Sequence, residues 1–142
     1  RLAALQPYQP GRIPVVFVHG TASSAGRWAQ MLNELWNDPR IHERYQFWLY
    51  TYDTGNPILY SAMRLRQALA DAVAKLDPDG RDPALQRMVV IGHSQGGILT
   101  RLTASDSGDH VSFKSRSASI RTVASSFIVT LHRNSCIKRC EA

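Results

Sequence analysis

Residues 13–18 read Ile-Pro-Val-Val-Phe-Val, a continuous apolar run that ends at His19-Gly20. A short, β-branched run bounded by turn residues suits a strand covered on both faces of a parallel sheet. The loop 21–26 is small and polar, and Ser23 or Ser24 is placed to cap a helix. Trp28, Met31, Leu32 and Leu35 then recur at helical spacing and predict one apolar face, until Asn37-Asp38-Pro39 ends the helix. The scheme repeats. Residues 45–52 are aromatic and apolar, a strand by composition. Gly55-Asn56-Pro57 makes a turn, and Ser61 is placed to cap a helix with Leu65, Leu69, Ala72 and Leu76 inward, broken at Asp77-Pro78. A polar linker over 77–83 leads to a third strand, Met88-Val89-Val90-Ile91, and to a helix from Gln95 to about Ala104. Residues 1–12, with Pro7, Pro10 and Gly11, read as an irregular lead-in.

Strand and helix alternate three times with short links. That order calls for an α/β fold, a three-layer sandwich with a mostly parallel sheet and helices on both faces. Three parallel strands are expected near residues 13–18, 46–51 and 88–91.

Composition divides the chain. Its 142 residues fit one domain with a buried core, and 44% apolar and 20% charged residues are ordinary globular usage. The net charge of +6 is unevenly placed: residues 1–110 carry 11 Lys+Arg against 10 Asp+Glu, while 111–142 carry six against Glu141 alone. No glycine follows Gly108 and no proline follows Pro83. The reading is therefore a coherent core over 1–110 and a basic, atypical tail over 111–142 that packs poorly. No apolar run approaches the ~20 residues that span a bilayer, and no secretory signal pattern is visible. The chain begins at Arg1, so compartment stays open. The tail's basic residues lack interleaved aromatics beyond Phe113 and Phe127, which argues against nucleic acid and leaves membrane-surface contact unsupported. His132, Cys136 and Cys140 share helical spacing, but three ligands without a fourth assign no metal site.

The chemistry is carried by Gly92-His93-Ser94-Gln95-Gly96, a G-x-S-x-G between a strand and a helix. Glycines are needed there because side chains would collide with the neighbouring strand and helix. The turn lifts the Ser94 hydroxyl above the carboxyl edge of the sheet at a helix N-terminus, where N–H groups favour an oxyanion. A phosphate loop is excluded: Gly92 and Gly97 have its spacing, but Ile98 and Leu99 stand where Lys and Ser/Thr are required. His19-Gly20-Thr21 ends the first strand, and loops after neighbouring parallel strands meet at that same edge. The backbone N–H groups of Thr21 and Gln95 are thus expected to form an oxyanion hole. His93 is expected to be structural, and His42 to lie in a polar loop facing solvent.

Residues 14–20, Pro-Val-Val-Phe-Val-His-Gly, followed by Gly92-His93-Ser94-Gln95-Gly96-Gly97, resemble the lipase/esterase branch of the α/β-hydrolases. The chain is similar to bacterial lipases and to GPI inositol-deacylase-like serine esterases over about residues 12–110. The resemblance implies the N-terminal part of an α/β-hydrolase fold and no cofactor. It implies a small-molecule or lipid ester cleaved through an acyl-enzyme on Ser94. That family's triad continues with an Asp or Glu and then a His on later loops. Only 48 residues follow Ser94, too few for the remaining β–α units at ~30 residues each. Residues 127–131 form a candidate next strand, and the stretch 130–135 is similar to the TPHxGS that follows it in related lipases, departing at Leu131 and Asn134. A truncated or frame-disrupted product is the simplest account. Asp106, Asp109, Glu141, His110 and His132 are the remaining acids and histidines, none with the expected placement. The competing readings are a hydrolase-like domain that only binds, and a tail that binds anionic surfaces. Oligomeric state is not legible.

Overall fold

In the computed structural model the described residues are 1–104, with the backbone of two further strands. The strands are β1 (Leu2–Ala4), β2 (Ile13–Val18), β3 (Tyr45–Tyr50), β4 (Val89–His93), β5 (Ala118–Val123) and β6 (Ser126–Leu131). The helices are α1 (Ala29–Asn37), α2 (Pro39–Arg44), α3 (Ile58–Leu76) and α4 (Gln95–Ala104), with 3-10 turns at Ala25–Trp28 and Leu85–Arg87. One sheet runs in the order β1-β3-β2-β4-β6-β5. Its centre is parallel as expected, with Val16 between Trp48 on β3 and Val90 on β4.

The apolar runs do the expected work on two faces. Val16 and Val18 pack with Leu65 and Leu69 of α3 and Leu99 of α4. Val15 and Phe17, pointing the other way, pack with Trp28 and Leu32 and with Phe47. Alternation on a strand buried on both sides is what makes the run continuous in sequence. Helix α3 presents its predicted face, with Leu65 and Leu69 buried and Ala72 and Leu76 packed at the margin. Arg66 Nη2 donates to the Leu102 carbonyl at 2.8 Å and ties α3 to α4.

Several local readings are corrected. The lead-in contains β1, antiparallel to β3. Ser61 does not cap α3: the helix starts at Ile58 behind Pro57, and Ser61 is buried in its second turn. Ser24 precedes the 3-10 turn but makes no side-chain cap bond. Met31 is exposed, outside the apolar face assigned to it. Pro39 ends α1 but also opens α2, where Asp38 caps by accepting the Arg40 N–H; proline is preorganised for a first helical position. His42 therefore sits on a short helix, half-buried, its ring 5.4 Å from Trp36. The strand expected over 127–131 is β6, but it runs antiparallel to β4, with β5 beside it. Apart from the backbone of β5 and β6, the tail 111–142 lies outside the described residues, as do Asp106, Asp109, His110, His132, Cys136, Cys140 and Glu141. Among the described residues no helix is long and apolar enough to cross a membrane.

Two polar clusters fasten the lead-in. Gln46, fully buried within β3, donates to the Gln9 and Arg12 carbonyls at 3.1 and 2.7 Å and accepts the Gln9 N–H at 3.2 Å. Asp82 accepts from the Tyr8 hydroxyl, the Gly11 N–H and the Ala84 N–H. Partial burial pushes the Asp82 carboxyl up, but these bonds outweigh it and hold it below its ordinary value. Gln46→Leu removes three hydrogen bonds and leaves the part-buried Gln9 N–H and Arg12 carbonyl without this partner, so we expect a loss of about 2–3 kcal/mol, read from urea unfolding. A depressed carboxylate stabilises the fold above its unfolded value of 3.8 and loses that contribution as pH falls through the lower folded value. Asp82→Asn should flatten this acid limb in a melting-temperature series, leaving the neutral-to-acid difference smaller than in the parent.

Candidate active site

Ser94 stands alone between β4 and α4, exposed at the carboxyl edge of the sheet, with φ at +54°. That left-handed conformation costs an L-residue about 1–2 kcal/mol and persists only where its surroundings impose it. The turn is imposed from both sides. A Cβ on Gly92 would fall 2.3 Å from the Gly96 carbonyl oxygen, and one on Gly96 would fall 2.4 Å from the carbonyl oxygens of Val18 and His19. Gly97 is buried on the same helix. The Ser94 carbonyl accepts from the N–H groups of Gly97 and Ile98 at 2.9 and 3.3 Å, which starts α4.

The loop after β2 comes to the same place. A Cβ on Gly20 would lie 2.9 Å from Ser94 Cβ, so only a glycine brings the main chain this near the serine. Thr21 Oγ1 donates to Gln95 Oε1 at 2.8 Å, and Gln95 Nε2 donates to the Thr54 carbonyl at 3.5 Å. Ala22, also left-handed at φ +50°, donates its N–H to Thr54 Oγ1 at 3.3 Å. The main-chain N–H groups of Thr21 and Gln95 have no hydrogen-bond partner among the described residues. The two expected oxyanion donors thus sit on the loop after β2 and at the first residue of α4, with no hydrogen-bond partner among the described residues.

His19 is committed through both ring nitrogens, whereas His93 is engaged through Nε2 and its buried Nδ1 has no hydrogen-bond partner among the described residues. His19 is buried; its Nδ1–H donates to the Gly20 carbonyl at 3.0 Å, and the Tyr52 N–H donates to Nε2 at 3.5 Å. The Tyr52 ring stacks on it at 4.7 Å, and the Tyr52 hydroxyl donates to the His19 carbonyl at 2.9 Å. Burial, helped by Tyr50, pushes the Tyr52 phenol up to about 12, so it remains a donor at neutral pH. His93 has Nε2 engaged by the Arg27 guanidinium at 3.2 Å and lies edge-on to Trp28. His42 is on α2, before the amino end of β3, whereas Ser94 follows the carboxyl end of β4. Among the described residues no group of three metal-ligating side chains forms. Motif reading placed His19, Gly20, Thr21, Gly92, His93, Ser94, Gln95, Gly96 and Gly97 together, and they are together. It did not find Tyr52, Thr54 or Arg27, whose contacts are made across 33, 41 and 66 residues of chain.

A parallel central sheet between helix layers, with a strand-to-helix turn at Ser94 beside a His-Gly loop, defines an α/β-hydrolase type of fold. A sequence profile described as the Alpha/beta hydrolase family matches residues 15–132, and the chain belongs to that family. It is 31% identical over 114 residues to GPI inositol-deacylase B of Yarrowia lipolytica, an alignment that takes in 68% of this chain and 12% of that protein. A Bacillus licheniformis lipase superposes in its mature form with a TM-score of 0.54 at 20% identity, over 72% of this chain and 39% of the lipase. Its propeptide form gives 0.50 at 21% identity, over 69% and 20%. The chain therefore spans about an eighth of the deacylase and two fifths of the mature lipase.

Gly96 is the tightest test of this packing, because its missing Cβ faces backbone oxygens that cannot turn away. Gly96→Ala should cost about 3 kcal/mol or more and leave Ser94 less accessible to modification. Unchanged melting would mean that α4 is free to move away from β2.

Proposed function

We propose that this chain carries the nucleophile-bearing part of a serine ester hydrolase of the lipase/carboxylesterase type. The carrying observation is Ser94 held at φ +54° on the strand-to-helix turn, flanked by the uncommitted N–H groups of Thr21 and Gln95. In this reading Ser94 Oγ attacks the carbonyl carbon of a small-molecule or lipid ester. The two N–H groups take the negative charge that develops on the carbonyl oxygen. The alkoxide side of the ester leaves with a proton, and water then releases the acid from the acyl-serine. No cofactor is needed for these steps. The names of the Yarrowia deacylase and the Bacillus lipase support ester cleavage, and each of those proteins is longer than this chain.

Proton transfer from Ser94 needs a base held by a carboxylate. His19 spends both ring nitrogens on Gly20 and Tyr52, and His93 has Nε2 held by Arg27 and Nδ1 buried, so the base and its acid are assigned to chain beyond the described residues. That commitment favours, as second reading, a hydrolase-like domain that binds without turnover.

The two readings separate with an added base. The 142-residue chain alone should cleave a short activated ester barely above background, and Ser94→Ala should change that little, since a serine without its histidine loses several orders of magnitude. Imidazole in the buffer supplies the missing base. The parent's turnover above imidazole's own solution rate should then rise, and Ser94→Ala should abolish that rise. Equal imidazole dependence in parent and Ser94→Ala would favour the binding domain. Brisk turnover without imidazole would place a base within these 142 residues, and His110→Ala and His132→Ala would identify it.

A further inference from the structure

We infer that the Gln95 side chain is a positioning residue that sets the spacing of the two oxyanion donors, an inference that rests on the hydrolase reading of Ser94. One donor is the Gln95 main-chain N–H and the other is the Thr21 main-chain N–H. The side chains of these same two residues are joined by the 2.8 Å bond from Thr21 Oγ1 to Gln95 Oε1. Main chain, side chain and hydrogen bond therefore form one bridge with an oxyanion donor at each end. Its length fixes how far apart the donors stand.

The bridge is braced on a third loop. Gln95 Nε2 reaches the Thr54 carbonyl at 3.5 Å, and Thr54 Oγ1 accepts the Ala22 N–H at 3.3 Å. Loops after β2, β3 and β4 are thus linked through one amide side chain. An amide is suited to this because it accepts on one side and donates on the other, which neither a carboxylate nor an apolar side chain does. Ala22 gives an independent reason for a brace. It is left-handed without being glycine, so the loop after β2 is held in a conformation that it would relax if released. Relaxation there would carry the Thr21 N–H away from the Gln95 N–H. Burial is not the purpose of the contact: Thr21 is exposed and Gln95 is half-exposed, so removing the bond leaves little core disturbed.

The test reads the reactivity of Ser94 towards a fluorophosphonate, whose phosphoryl oxygen needs the same two donors. Ser94 Oγ bonds to phosphorus, fluoride leaves, and the serine proton passes to imidazole in the buffer. Gln95→Met and Thr21→Val, close in volume to the originals, should slow labelling of Ser94 by about tenfold to a hundredfold, the scale set by a misplacement near 1 Å. Thr21→Ser, which keeps the hydroxyl, should recover most of the parent rate, and Gln95→Glu, which keeps only the acceptor, should fall between. Melting temperatures of all four should stay near the parent's, a pattern that a merely structural role would not give. Labelling at the parent rate in Gln95→Met and Thr21→Val, or Thr21→Ser as slow as Thr21→Val, would overturn the inference alone. A parent chain whose Ser94 reacts no faster than its other serines would overturn the hydrolase reading and the inference with it.

Discussion

The first turn of α4 lies so close to the end of β2 that a methyl group on Gly96 would sit 2.4 Å from the carbonyl oxygens of Val18 and His19. Most of the site depends on this contact. Because α4 is pressed against β2, the loop leaving β2 has nowhere to run except past Ser94, and Gly20 meets the serine's Cβ side on. The second glycine of the turn, Gly92, lets the strand pass beneath Gly96 for the same reason. Glycine here serves close approach: neither position has positive φ, and the left-handed residue of the turn is the serine itself.

The sheet beneath supplies the rigidity that such an edge needs. Val16 and Val18 face Leu65, Leu69 and Leu99, while Val15 and Phe17 face Trp28 and Leu32, so β2 is gripped by a helix layer on each side. A strand gripped in this way cannot slip register, since a slip of one residue would exchange the two buried faces. Its carboxyl end, and with it His19 and Gly20, is then fixed in height relative to β3 and β4. His19 continues the fixation beyond the sheet. Its ring spends both nitrogens on Gly20 and Tyr52, joining the ends of β2 and β3.

Legibility from sequence followed the range of the forces involved. β2, β3, β4 and α4 announced themselves because burial on two faces writes an unbroken apolar run and because the turn demands glycine at fixed spacing. β1 did not, since Leu2–Ala4 is three residues whose strand character comes from pairing with β3. Pro39 was ambiguous by nature: the same residue stops one helix and suits the first position of the next, and the Asp38 cap decided for a new helix. Ser61 shows the opposite failure. A serine ahead of an apolar face looks like a cap, but the helix gains a further turn from Ile58 to Tyr60, whose apolar side chains are exposed and left no periodic mark. In the candidate site the short-range constellation was legible, and the contacts of Arg27, Tyr52 and Thr54 were not, because hydrogen bonds over 30 or more residues leave no spacing rule behind.

Strain at the carboxyl edge points to what the fold has prepared. Ser94 and Ala22 are the non-glycine residues with positive φ among those described, and they lie on the two loops that carry the Gln95 and Thr21 N–H groups. Each conformation costs stability that a glycine would spare, and neither improves the core. The histidines nearby make hydrogen bonds of their own, His19 through both ring nitrogens and His93 through Nε2 to Arg27. In the hydrolase reading, electrostatic preorganisation and proton transfer are separable: the proposed donors sit on the loop after β2 and at the first residue of α4, while the base is assigned to a later element. A donor pair needs backbone geometry fixed to a few tenths of an ångström, which a packed sheet edge can give from local contacts alone. A base needs only a side chain delivered within hydrogen-bond reach, which a more distant loop can supply. That difference in required precision is a physical reason for the two functions to fall on different parts of an α/β-hydrolase chain.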